Sequence, residues 1–178
     1  MKIKTFTFIL FLQLLTLAAL AQKNAGLNTL LNKNTEFIFP QTPDKISAAL
    51  NAKTVFYEDA NEEQYAKWLT KSGLELYCSL GKDKSINEMF FDIPDDKFLV
   101  VSGLPFGLSM NKTTLQQGVA NFTKYKAKKV KLGDDSTFSG GTKLTFKKEK
   151  HYVTLLFDSK NLLKSLSITT ELIDPAAN

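Results

Sequence analysis

The sequence predicts an α+β protein in which short helices pack on antiparallel β-sheet, organised as two repeated helix-plus-meander units. Three observations carry this. Apolar and polar residues alternate with period two over Leu74–Leu80, Thr142–Lys147 and His151–Phe157. Helical spacing over two turns or more is read in two short stretches, Pro43–Leu50 and Asn111–Phe122. Turn-forming residues separate the strands at short intervals.

Residues 1–21 read as a secretory signal peptide. Lys2 and Lys4 precede an apolar run from Phe6 to Leu20, and Ala19-Leu20-Ala21 ends it with small residues at the first and third places. The run is short for a bilayer span, which needs about 20 residues. Gln22 stands where a lipoprotein would carry its Cys. The expectation is an exported, soluble product, periplasmic or extracellular, with no transmembrane segment after cleavage.

Residues 22–39 read as a polar lead-in dominated by Asn24, Asn28, Asn32 and Asn34, with Leu27, Leu30 and Leu31 spaced for a short helical turn. The first unit, 40–103, opens with the helix Pro43–Leu50. Thr42 is its cap, Pro43 suits the first helical position, and Asp44 favours the positive end of the dipole. Strands follow at Thr54–Tyr57, Tyr65–Leu69, Leu74–Leu80 and Ile86–Ile93, with an acidic loop at Glu58–Glu63. Phe98–Val101 reads as a short apolar strand.

The second unit, 104–172, opens on the punctuation Gly103-Leu104-Pro105-Phe106-Gly107. The helix expected at Asn111–Phe122 is capped by Ser109 or Asn111. Lys124–Leu132 carries five Lys and begins as a strand, and strands follow at Thr142–Lys147, His151–Phe157 and Leu162–Ile168. Lys148-Glu149 and Asp158–Asn161 are the turns between them. Residues 173–178 have nothing to bury and read as a frayed tail. The halves share a Ser-Gly turn leading into a strand, at Ser72-Gly73 and Ser139-Gly140, and an aromatic-aliphatic run ending in Asp, Met89-Phe90-Phe91-Asp92 and Leu155-Leu156-Phe157-Asp158.

Phe106-Gly107-Leu108-Ser109 before a helix, and Leu156-Phe157-Asp158 before Leu162-Leu163, resemble the small α+β module of the BamE/SmpA outer-membrane assembly lipoproteins. The tandem arrangement is similar to that of the β-lactamase inhibitor proteins. The resemblance covers residues 104–170 and extends over 40–93. The lipid-bearing Cys of the BamE group is missing. The resemblance implies a binding or scaffold role without catalysis.

Composition narrows the chemistry. All 23 basic residues are Lys. The absence of Arg, the usual bidentate reader of phosphate, speaks against nucleic-acid binding or phosphoryl transfer. From Gln22 to Leu104 there are 9 Lys against 12 Asp plus Glu; from Pro105 to Asn178 there are 12 Lys against 6. One Cys and one His exclude an internal disulfide and the ordinary zinc sites. No metal or cofactor is expected.

Cys78 shares a strand face with Leu74 and Leu76 and reads as a buried, inert thiol. His151 shares a face with Val153, Leu155 and Phe157. Structural packing is the first reading, and general-base work in a hydrolase the second. Glu58, Asp59, Glu62 and Glu63, and Asp92, Asp95 and Asp96, are acidic groups that lack the ligand ladder of a calcium loop. Asn111-Lys112-Thr113 and Asn121-Phe122-Thr123 match the N-glycosylation pattern, but the leader is of bacterial type and both read as coincidental.

The candidate binding residues are Lys124, Lys126 and Lys128, pointing one way along a strand, and Tyr125, which points the other way with Ala127, so that a positive stripe runs beside an aromatic. As a functional feature they would meet another envelope protein or an anionic surface. As a structural one they guard an edge strand against aggregation. The favoured function is therefore an exported cell-envelope binding module without catalysis. The alternatives are a secreted hydrolase using His151 and a carrier of a small apolar ligand.

Overall fold

The computed structural model of the chain describes residues 23–94 and 97–170. The leader expected at 1–21, Asp95 and Asp96, and the tail expected at 173–178 lie outside the described residues.

In chain order the elements are β1 (Lys23–Asn24), α1 (Pro43–Leu50), β2 (Val55–Glu58), β3 (Gln64–Leu69), β4 (Glu75–Ser79), β5 (Glu88–Asp92), β6 (Val101–Ser102), β7 (Ser109–Met110), α2 (Leu115–Phe122), β8 (Lys128–Lys131), β9 (Thr142–Lys148), β10 (His151–Phe157) and β11 (Leu163–Thr169). Eight strands form one sheet in the order β2-β3-β4-β5-β11-β10-β9-β8. Every neighbouring pair in it is antiparallel. The short strands β1, β6 and β7 make a second, small sheet.

Alternation sorts each long strand into two faces. Ala66 and Trp68, Leu76 and Cys78, Met89 and Phe91, Leu166 and Ile168, Val153, Leu155 and Phe157, and Leu144 and Phe146 are buried in one core. The helices cover this face. α2 lies close because Gly118 has no side chain; a Cβ there would meet Phe157 Cζ at 3.0 Å. α1 is tied down from below: the Trp68 indole N–H donates to Thr54 Oγ1 at 2.8 Å and Ser47 Oγ at 3.2 Å. Ala25, Leu27, Leu30 and Phe37 are also buried in the core. The Asn-rich stretch thus contributes packing while its Asn side chains serve turns, as when Asn32 Oδ1 accepts from the Asn34 and Glu36 amides.

The structure departs from the sequence reading at three elements and one turn, the β9-β10 hairpin, which turns at Glu149-Lys150 because Lys148 pairs with His151. Phe98 is 54% exposed, and the strand near it covers only Val101–Ser102. The second helix begins at Leu115, not Asn111. Its cap is Thr114, which accepts from the Gln117 amide while the Gln117 side chain accepts from the Thr114 amide, a capping box. Lys124–Leu132 is not one strand: Thr123–Tyr125 is a 3-10 turn, Lys126 is left-handed (φ 54°), and β8 starts only at Lys128. The alternation that put Lys124, Lys126 and Lys128 on one strand face therefore does not exist.

Candidate functional site

Three of the four sequence-predicted residues nevertheless line one groove. Helix α2 ends against the sheet through an aromatic stack, in which Phe122 and Phe146 lie 4.2 Å apart and Tyr125 and Phe146 5.7 Å apart, both nearly parallel. That stack extends the helix into the 3-10 turn and fixes Tyr125. The left-handed Lys126 then turns the chain towards β8. In register, β8 covers β9 only from Thr142 to Thr145. Phe146 and Lys147 of β9 run past the start of β8, and the space beside them is a groove of about 440 Å³.

Tyr125, Lys126 and Lys128 line this groove together with Lys147, Tyr152, Thr145 and Thr154. Lys124 lies outside the lining, with its ammonium 5.0 Å from the Tyr125 ring centre. Lys147 and Tyr152 are cross-strand partners. The Lys147 ammonium donates to the Tyr152 hydroxyl at 3.1 Å and sits 4.8 Å from the ring centre. Lys148 is paired with Glu36, so its charge is offset. The groove thus presents Lys126, Lys128 and Lys147 beside two tyrosines, a combination whose chemistry suits anionic groups and flat ones. β8 is also an outer strand of the sheet, so Lys128, Lys129 and Lys131 guard an edge as well.

A second cleft, of about 600 Å³, lies at the other end of the uncovered sheet face. Tyr57 stacks on Tyr65 at 5.2 Å and Tyr77 on Phe90 at 4.9 Å. Burial first, then the Asp92 and Glu75 charges, pushes the Tyr77 hydroxyl up to about 12. Its hydrogen bond to Glu63 is the main reason Tyr65 also rises to about 12. Both phenols therefore keep their protons at neutral pH, and the Tyr65 hydroxyl donates to Glu63.

The remaining candidates are held by the fold. Cys78 is fully buried, and burial pushes its thiol up to about 12. Asp59 Oδ1 accepts from the Asn61 and Glu63 amides, Glu63 from the Tyr65 hydroxyl, and Glu58 from Gln64. Asp92 accepts from the Ile93 amide. Among the described residues, no three His, Cys, Asp or Glu side chains are grouped to hold a metal. Asn111 is buried, its amide spent on the Leu99 carbonyl, while Asn121 is exposed on α2.

His151 stacks obliquely on Phe39, 5.5 Å between ring centres. Its crevice, about 10 Å³, is lined by Glu36, Phe37, Phe106, Lys148, Glu149 and Ile168, without a hydroxyl or thiol nucleophile. Burial is the main reason its imidazole falls below the ordinary 6.5, and Lys150 adds to it. The folded state therefore takes up the proton at lower pH than the unfolded chain, and between the two values the unfolded state binds more protons. Stability is expected to fall as pH drops below about 6.5, and His151→Leu should flatten that part of the curve. Urea unfolding on either side of that pH checks this; a slope identical in both proteins contradicts it.

Among the described residues no helix is long and apolar enough to cross a membrane. Compared with known protein families the chain matches none, and compared with curated proteins it matches none. Among solved structures it is similar to a DUF4309 family protein (YjgB) from Bacillus subtilis subsp. subtilis str. 168, at 10% identity and a TM-score of 0.41, over 79% of this chain and 81% of that one.

Proposed function

We propose that this protein is an exported, soluble binding module of the cell envelope, without catalysis of its own. Its groove at Tyr125, Lys126, Lys128, Lys147 and Tyr152 receives an acidic surface of another envelope protein. The observation that carries this reading is the convergence of three lysines and two tyrosines on one groove, in the half of the chain where Lys outnumbers Asp plus Glu by 12 to 6. Such a site gains most of its specificity and association rate from charge.

The two-unit organisation belongs to the same proposal. In its support, the strand order is symmetric about the central β5-β11 pair: four strands run outward on each side, each set preceded in sequence by a short helix. The hydrolase alternative has less behind it, because no nucleophile lines the His151 crevice.

Capture from an envelope extract with the mature chain is the test. A partner retained by the wild type is expected to be lost with Lys126→Glu and retained with His151→Ala. Retention unchanged by Lys126→Glu would remove the groove from the account.

A further inference from the structure

The two outer strands of the large sheet are treated differently. β8 carries Lys128, Lys129 and Lys131 around Val130, the usual protection of an open edge. β2, at the far side, is Val55-Phe56-Tyr57-Glu58 with no Lys, and Val55, Phe56 and Tyr57 are 54%, 54% and 42% exposed. An apolar edge left open in this way invites another strand.

The backbone shows which groups it offers. The Asp59 amide donates to the Glu63 carbonyl, and the Leu80 amide donates to the Gln64 carbonyl, so Gln64 is turned towards β4 rather than β2. The β2-β3 register pairs Glu58 with Gln64 and Tyr57 with Tyr65. By antiparallel alternation, Val55 and Tyr57 bond β3, whereas Phe56 and Glu58 turn their N–H and C=O outwards.

We propose that β2 pairs antiparallel with β2 of a second copy of this chain. The sequence Lys53-Thr54-Val55-Phe56-Tyr57-Glu58-Asp59 is self-complementary in that arrangement. With Phe56 opposite its own copy, outward-facing groups meet: Phe56 bonds Phe56, and Thr54 meets Glu58. On one face of the joined sheet Val55 then lies opposite Tyr57, and the Lys53 ammonium opposite the Asp59 carboxylate. Opposite charges and apolar pairs across a ladder each favour this register. The result is a continuous sheet across a two-fold axis. Both basic grooves lie at its outer ends, away from the seam, and stay open.

Sedimentation of the mature chain, from about 1 μM to about 1 mM, tests this as a small interface requires. The wild type is expected to shift from monomer to dimer over that range. Lys53→Glu, which sets like charges opposite each other, and Phe56→Lys, which sets two ammoniums on the axis, should both stay monomeric. An equimolar mixture of Lys53→Glu with Asp59→Lys should dimerise again, provided circular dichroism shows Asp59→Lys folded; if it is not, the first two variants decide alone. A wild type that stays monomeric throughout would overturn the proposal, as would a dimer indifferent to Lys53→Glu and Phe56→Lys.

Discussion

Trp68→Ala is expected to destabilise the protein by about 3–5 kcal/mol, the range for removing a large, fully buried aromatic. Trp68 has no exposure, and it joins three parts of the fold. It lies on β3, and its indole donates to Ser47 on α1 and to Thr54 in the connector that leads into β2. Deleting it opens a cavity and strands two hydroxyls that otherwise bond only each other, at 2.5 Å. Trp68→Phe keeps most of the packing and loses the donor, so a smaller loss of about 1–3 kcal/mol is expected. Urea unfolding followed by circular dichroism measures both, since Trp68 is the chain's one tryptophan and its fluorescence disappears with it. Equal losses in the two variants would show that the indole N–H carries the contribution alone.

Gly141→Ala is expected to be comparably damaging, on the order of 3 kcal/mol. Gly141 enters β9 where the chain passes against the end of β10. A Cβ there would stand 2.0 Å from the Phe157 carbonyl oxygen and 2.7 Å from that of Phe138. Both obstacles are backbone, so one strand must move. Gly118→Ala meets only the far end of the Phe157 ring, at 3.0 Å, and Leu144 Cδ2 at 3.4 Å. A ring can tip, and alanine favours the helix over glycine by about 1 kcal/mol. The loss at Gly118 should therefore be much smaller than at Gly141. The reverse order in thermal unfolding would contradict this account of the packing.

Much of the sheet was legible because its strands are long, half-covered and alternate cleanly. His151–Phe157 has the bounds that the pattern predicts, and Thr142–Lys148 extends its expected range by one residue. The start of α2 is not fixed by local pattern, because Ser109 and Asn111 are both acceptable caps, while the chain uses neither. Asn111 is left-handed, and its side chain bonds the Leu99 carbonyl. Thr114 followed three residues later by Gln117 was the signal for the capping box.

The site was half legible. The strand alternation that singles out Tyr125, Lys126 and Lys128 is interrupted by the 3-10 turn. They come together because the aromatic stack of Phe122, Tyr125 and Phe146 holds the turn, a tertiary effect that local pattern does not carry. Lys147 and Tyr152 were missed through one residue of register. A hairpin turn at Lys148-Glu149 would set Lys147 against Lys150, whereas the observed pairing of Lys148 with His151 sets Lys147 against Tyr152. Such a shift changes every cross-strand neighbour.

The groove is tested most directly by titrating residues 22–178 with polyglutamate as the anionic probe, at low salt and again at physiological salt. Wild type should bind, with affinity falling as salt rises. Lys126→Glu combined with Lys147→Glu should weaken binding by about tenfold or more. Lys45→Glu, exposed on α1 away from the groove, should leave it unchanged. Equal affinity in all three proteins would contradict the assignment of the groove as the anion-binding surface.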